Sequence, residues 1–269
     1  MPDRIAARIE VPAAWRRIEF ISDLHLALET PRTFDAWRDY LLGTRADAVF
    51  ILGDLFEAWV GDDSRFEGFE AQGAAVLREA SARKRLYFMV GNRDFLLGEE
   101  MLADCGVQGL VDPTLLIAFG ERALLTHGDA WCIDDQNYQK FRQQVRNPAW
   151  KAQVLSRPLA ERRLLARNLR SESERAASEH MGEWSDVDRP TALDWLDAND
   201  APTLVHGHTH RPATEALAPA RTRHVLSDWD FDHVGASGAH SSRGDVLRWQ
   251  ASGWSRLSPA EAASDTSAG

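Results

Sequence analysis

Only two cysteines occur in the 269 residues, Cys105 and Cys132, and they fall neither in a CxxC pair nor at a zinc-finger spacing. Neither a disulfide framework nor a thiolate metal site is expected, and a reducing cytoplasm is the natural compartment. Long hydrophobic runs are also missing. No stretch of about 18 uncharged apolar residues occurs, and the opening MPDRIAARIEVPAAW is charged throughout, which predicts a chain neither exported nor membrane-spanning. Positive charge is scarce: 31 Lys and Arg stand against 41 Asp and Glu, for a formal net charge of -10. A protein that grips a phosphate backbone shows a basic face, so no nucleic-acid partner is expected. The deficit is uneven. From Lys140 to Arg175 ten Lys and Arg face three Glu, about +7, so one basic segment rides on an acidic body.

A chain of this length, 44% hydrophobic, can bury a substantial core and fits one α/β domain with an insertion better than two independent domains. Short β-branched or aromatic runs end repeatedly in polar residues: RIEFISD (17–23), AVFILGD (48–54), LYFMVGN (86–92), ALLTHGD (123–129) and TLVHGHTH (203–210). Each reads as a buried strand with polar side chains at its carboxyl end. Between the first three lie the helical stretches PRTFDAWRDYLL, with Thr30 as cap, and FEGFEAQGAAVLREASAR, giving β-α-β-α-β and parallel strands. Ligands of open α/β sheets sit at the carboxyl ends of the strands, so the pattern predicts a single site there. From Asp135 to Asp200 helical composition takes over, with Pro148, Pro158 and Pro190 as boundaries. The expected organisation is a core at 1–134 and 201–258 and an inserted helical cap at 135–200. After the strands RHVLSDWD and GDVLRWQ, a disordered tail is expected at 259–269.

Five strand-end motifs carry the chemistry: Asp23-Leu24-His25, Gly53-Asp54, Gly91-Asn92-Arg93-Asp94, His127-Gly128-Asp129 and Gly207-His208-Thr209-His210. Together they offer carboxylate, imidazole and amide oxygen, the mixture suited to Mn2+, Fe2+ or Zn2+. Alternate strand residues share a face, so Asp23 with His25, and His208 with His210, are each expected to grip one centre from one side. Each motif alone has an ordinary structural meaning. DxH and GNRD serve as turns, and HGD caps a helix or buries a hydrogen-bonded histidine. Three histidines within HGHTH have few such uses, and the joint order at successive strand ends points to a hydrolase of phosphate esters or anhydrides that holds two divalent cations. Two cations about 4 Å apart ionise a bound water near neutral pH and neutralise phosphoryl oxygens, so no protein nucleophile is required.

The series DxH, GD, GNx, H and GHxH across residues 23 to 210 resembles the calcineurin-like metallophosphoesterase family. The resemblance implies a four-layer α/β/β/α sandwich and two cations bridged by an aspartate and an attacking hydroxide. Carried over by motif, it implies that Asp23, His25 and His210 hold one ion, that Asn92, His127 and His208 hold the other, and that Asp54 bridges. Asp94 and Asp129 are expected either to orient Asn92 and nearby backbone or to play a plain structural role. Many members of the superfamily have a histidine where Arg93 stands, to protonate a poor leaving group. Arginine cannot usefully surrender a proton but holds phosphate with a permanent charge, so Arg93 points to a diphosphate, whose leaving phosphate needs no acid.

A closer likeness covers residues 17 to 250. ISDLHL, GDLFEAWVGDD, GNRDFLLG, THGDAWCIDDQNYQKFR, HGHTHRP and RHVLSDW resemble the UDP-2,3-diacylglucosamine hydrolase family of lipid A biosynthesis. This resemblance implies hydrolysis of the substrate's pyrophosphate bond to UMP and 2,3-diacylglucosamine 1-phosphate. It also implies two Mn2+ ions, with Asp54, Asn92, Arg93 and His127 as catalytic residues. The implied substrate contacts are Asn92, Arg93, Asp135, Tyr138, Arg170, Ser173 and His208. Ala177 and His180 stand where the family has Asn and Lys, so His180, also counted as a substrate contact, either meets phosphate as a protonated ring or is a plain surface histidine. The implied partner is a nucleotide-linked glycolipid, with peripheral membrane-lipid contact at the cytoplasmic face of the inner membrane and no obligate protein partner. In PLAERRLLARNLR, Leu159, Leu164, Leu165 and Leu169 leave Arg162, Arg163, Arg167 and Arg170 on other faces. Such a helix either meets anionic headgroups or packs its leucines on the core. Trp150 and Trp184 are candidates for an acyl groove or for plain core packing. Two readings compete: another two-metal phosphodiesterase or phosphatase of the superfamily, and a metal-free interaction scaffold. The latter predicts broken ligands, yet all seven positions hold competent side chains.

Overall fold

In a computed structural model, residues 4–179, 185–235 and 238–265 are described, with 172–179 as backbone alone. Their first strands are β1 (Ala7–Glu10), β2 (Ile18–Ile21), β3 (Ala48–Leu52), β4 (Arg85–Met89), β5 (Val107–Leu110) and β6 (Thr114–Ala118). There follow β7 (Glu121–Thr126), β8 (Thr203–His206), β9 (Ala213–Ala218), β10 (Arg221–Val225), β11 (Val246–Gln250) and β12 (Gly253–Leu257). The helices are α1 (Pro31–Gly43), α2 (Gly68–Ser81), α3 (Glu99–Asp104), α4 (Gln136–Val145), α5 (Pro148–Leu155), α6 (Leu159–Glu179), α7 (Arg189–Ala198) and α8 (Pro259–Ser264).

One six-stranded sheet has the order β12-β11-β2-β3-β4-β5, with β2 to β5 parallel. The second, β1-β6-β7-β8-β10-β9, is mixed. Strand β3, AVFIL, is apolar at every position because both of its faces are covered. Alternation sends Phe20, Phe50 and Tyr87 between the sheets, where they meet Leu116, Ala123, Leu125 and Val205. Ile21, Val49, Ile51 and Phe88 face the other way, onto Trp37, Leu41, Val76, Leu77 and Met101 of the helices. Beyond the second sheet, Leu115, Leu124 and Leu204 pack on Ala192 and Leu196 of α7. The result is a four-layer α/β/β/α sandwich. No described helix is long and apolar enough to cross a membrane.

Several expectations are corrected. Residues 259–264 are not a disordered tail but helix α8: Pro259 starts it, Ser258 and Glu261 form a reciprocal capping box, and Ala262 is buried as α8 packs on α1. Helix α7, expected within the cap, is the outer layer over β8, with Trp195 stacked on Trp131 after β7, while α4, α5 and α6 reach the loops that carry the donors. Thr30 does not cap α1; its hydroxyl turns to Ala27, and the carboxylate of distant Asp232 accepts from the amides of Arg32 and Thr33. Nor does α6 display all its arginines. Arg162 is only 4% exposed, bonded to Asp63 and the Val60 carbonyl, and Arg163 meets Glu67 and Glu70. Leu165 packs on the core while Leu164 is exposed. Trp150 packs on Phe95, ring centroids 6.0 Å apart, and Trp184 lies outside the described residues.

Candidate metal centre

Asp23 and His25 follow β2, Asp54 follows β3, Asn92 and Arg93 follow β4, His127 follows β7, and His208 and His210 follow β8. β2, β3 and β4 are parallel neighbours in one sheet, and β7 and β8 in the other, so the loops at their carboxyl ends can converge. The site residues themselves sit beyond the strands. Asp23, His25, Asp54, His208 and His210 all have positive φ, between 49° and 66°, a left-handed conformation that surrounding contacts must impose on non-glycine residues. Strand alternation therefore does not decide which residues share a centre, and His208 and His210 part company. His208 Nδ1 lies 2.8 Å from Asn92 Oδ1, whereas His210 Nε2 lies 3.2 Å from His25 Nε2. Two glycines permit the crowding: a Cβ on Gly91 would overlap the Asp54 carboxylate, and one on Gly207 the Asp23 carboxylate.

Each carboxylate is held by one oxygen and offers the other. Asp23 Oδ2 accepts from Ser22 Oγ at 2.5 Å and His208 N at 2.9 Å. Its buried Oδ1 has no hydrogen-bond partner and lies 3.5 Å from His210 Nε2. Asp54 Oδ1 accepts from Arg93 N at 2.8 Å, while Oδ2 lies 3.8 Å from His127 Nε2. The imidazoles are set in the same fashion. His127 Nδ1 donates to the Leu52 carbonyl at 2.8 Å, so in the neutral ring Nε2 turns a lone pair toward Asn92 Oδ1 at 2.9 Å. His25 Nδ1 lies 3.1 Å from Glu57 Oε2 and His210 Nδ1 lies 3.7 Å from Asp228 Oδ2, so both rings aim Nε2 inward. Ligand atoms of Asp23, His25 and His210 lie within 4.8 Å of one another, as do those of Asp23, Asp54 and His127. Neutral imidazole nitrogens and carboxylate oxygens facing one another repel unless a cation stands among them. This donor set fits a divalent one, and the orphaned Asp23 Oδ1 would gain a partner.

Burial opposes charge on Asp23, yet the adjacent His210, 3.5 Å away, together with His127 and His25 draws its carboxyl below the usual range. Burial likewise opposes an imidazolium at His127, but Asp54 and Asp23 lift it to about 9. Its neighbour His208, 5.2 Å away between ring centroids, is driven down to about 3 by burial and by His127. Asp94 is pushed up to about 7 by burial and by Asp54. It accepts from Gly91 N at 2.7 Å and Leu55 N at 2.8 Å, which staples the loops bearing Asp54 and Asn92 together. Of the two roles open to Asp129 it takes the structural one: its Oδ2 accepts from Tyr138 OH at 2.5 Å and Arg142 Nε at 2.8 Å, anchoring α4.

At the rim, Arg93 Nη1 and Arg170 Nε lie 3.5 and 3.4 Å from the same Glu57 oxygen. The Tyr138 ring lies 5.8 Å from that of His208. Asp135 is the N-cap of α4, accepting from Tyr138 N at 2.9 Å. Ser173 lies on α6 with its side chain outside the described residues, and His180 lies wholly outside them. Sequence reasoning missed Glu57 and Asp228, whose partners are remote in the chain. It also missed Arg146 and Lys151, which donate to the carbonyls of Gly91 at 2.7 Å and Phe95 at 2.6 Å. The basic charge of this segment was the one available signal.

Residues 16–212 match the calcineurin-like phosphoesterase family, and the chain belongs to it. With the donor clusters, that makes the site a divalent-metal phosphoesterase centre. Among curated relatives, the UDP-2,3-diacylglucosamine hydrolase of Chromobacterium violaceum is 47% identical over 229 residues, which are 82% of this chain and 92% of that protein. The protein of the same name from Aromatoleum aromaticum is 41% identical, covering 87% of this chain and 93% of its own. That from Bordetella pertussis is 43% identical, covering 79% and 85%.

Proposed function

We propose that the chain hydrolyses the diphosphate bond of UDP-2,3-diacylglucosamine, releasing UMP and 2,3-diacylglucosamine 1-phosphate in lipid A biosynthesis, with two Mn2+ ions as its cations. The observation that carries this reading is a pairing: donors from five loops converge, and two arginines instead of an imidazole acid stand at their rim. Asp23, His25 and His210 would hold one ion, Asn92, His127 and His208 the other, and Asp54 both. Bound, the ions supply an ionised water near neutral pH and neutralise phosphoryl oxygens.

The chain's own groups do the rest. Arg93 and Arg170 offer permanent charge to the diphosphate oxygens, and the departing phosphate leaves as an anion without a proton donor. Asp94 keeps the Asp54 and Asn92 loops in register. Burial and the adjacent Asp129 push the Tyr138 phenol far above its ordinary value, so it serves as a neutral hydrogen-bond group over His208. Leu155 and Leu164 of the insertion, 42% and 52% exposed, support peripheral contact with lipid at the cytoplasmic face of the inner membrane.

The test is an assay of the purified chain, with and without Mn2+, on UDP-2,3-diacylglucosamine, an aryl phosphodiester and a nucleoside monophosphate. Selective, Mn2+-dependent release of UMP is expected, and equal turnover of the aryl diester would point to a general phosphodiesterase instead. Asp54→Ala should lose at least about a thousandfold in kcat, a barrier increase of about 4 kcal/mol.

A further inference from the structure

We propose that Glu57 is a positioning residue that sets the His25 ring for metal binding and gathers Arg93 and Arg170 beside it. The inference rests on the metal-centre reading above and concerns a residue outside both ligand clusters found among the described residues. Glu57 lies in the loop after β3. Its amide donates to the Leu26 carbonyl at 3.1 Å, and Leu26 pairs with Phe56 in a parallel bridge that prolongs the contact between β2 and β3. Main-chain bonds thus hold residue 57 next to the His25 loop independently of what its side chain does.

The carboxylate is mostly buried, and its two oxygens have separate tasks. Oε2 lies 3.1 Å from His25 Nδ1, an ion-pair contact not aligned as a hydrogen bond, while Oε1 lies 3.5 Å from Arg93 Nη1 and 3.4 Å from Arg170 Nε. A neutral imidazole carries one proton. A carboxylate beside Nδ1 draws it there and leaves Nε2 as the bare donor, the nitrogen that faces His210 and the Asp23 side of the cluster. On the other oxygen, one guanidinium arrives from the loop after β4 and one from α6 of the insertion. Glu57 is an anion that both charges share, which holds them within reach of a single polyanion before any substrate is bound. An incoming diphosphate then competes for arginines already in position.

The experiment titrates the purified full-length chain, Glu57→Ala and Glu57→Gln with Mn2+ by calorimetry, and measures kcat and KM for UMP release. Glutamine retains an acceptor for His25 Nδ1 but lacks the charge that gathers the arginines. Glu57→Ala should bind Mn2+ about 10–100-fold more weakly. Glu57→Gln should recover most of that affinity while keeping a raised KM. Mn2+ affinity in Glu57→Ala within twofold of the unaltered chain overturns the proposal, as does a loss of affinity in both variants that merely follows a fall in thermal midpoint. If the unaltered chain binds no Mn2+, the metal-centre reading itself fails, a result distinguishable from the others because no variant is involved.

Discussion

Phe20, Phe50, Leu124 and Leu204 of the sandwich are completely buried, whereas α4, α5 and α6 reach the strand-end loops largely through cations. Arg142 meets Asp129, Arg146 and Lys151 meet backbone carbonyls, Arg162 meets Asp63, Arg163 meets Glu67, and Arg170 meets Glu57. Their apolar contribution is smaller, chiefly Val145 and Val154 with Phe141, Trp150 and Leu165 against the core. The difference separates two kinds of cohesion. Burial of hydrocarbon is non-directional and tolerates salt, while charge-assisted contacts fix direction and are screened where water reaches them. A rigid frame carries the donors, and a differently fastened group of helices brings cations to them.

The contrast is broken most severely by emptying the frame. Phe50, fully buried and stacked on Tyr87 at 4.4 Å, should cost about 3–5 kcal/mol as Phe50→Ala in urea unfolding. A cost under about 1 kcal/mol would mean that burial is not what holds the sheets together.

Acid should attack the frame next. Burial, then Arg256, hold His224 of β10 down to about 4 from its ordinary 6.5. The unfolded chain therefore binds more protons between those values. This stabilisation is complete above pH 6.5 and is lost as pH falls toward 4, a matter of roughly 2–3 kcal/mol at the bottom of the window. Urea midpoints measured across that range should fall, and His224→Gln should flatten the slope.

Arg162→Ala sharpens the comparison from the other side. Removing the buried cation that bonds Asp63 and Val60 O should cost roughly 1–3 kcal/mol, felt in the insertion. Limited proteolysis should move to residues 146–171, and KM for the diphosphate should rise about tenfold. Unchanged protease resistance would count against the role given to Arg162. The smallest effect is expected from salt. Going from about 0.1 M to 1 M shortens the screening length from roughly 10 to 3 Å, which should raise KM about two- to threefold while leaving the urea midpoint nearly still.

The strands that carry donors were legible because each joins a doubly buried apolar run to a polar motif, as AVFIL does to Gly53-Asp54. Strands β1, β5, β6, β9 and β12 were not seen. β9, ATEALA, buries only one of its residues and carries little apolar signal. The identities of the clustered residues were readable, but strand alternation could not give their partnerships, which only the motif resemblance implied, since left-handed loops at Asp23, His25, His208 and His210 obey no strand period. Glu57, Asp228 and the Asp232 cap of α1 escaped for a different reason: each acts on residues brought near only by folding, and no local pattern marks such a role.

Arg146 and Lys151 clasp the main-chain oxygens of Gly91 and Phe95. Every amino acid supplies such an oxygen, so drift in the side chains of that loop leaves the mooring points intact. A transplanted helical segment with two long basic arms at matching spacing would keep these two moorings, while the pairs to Asp129 and Asp63 would have to be carried across with it.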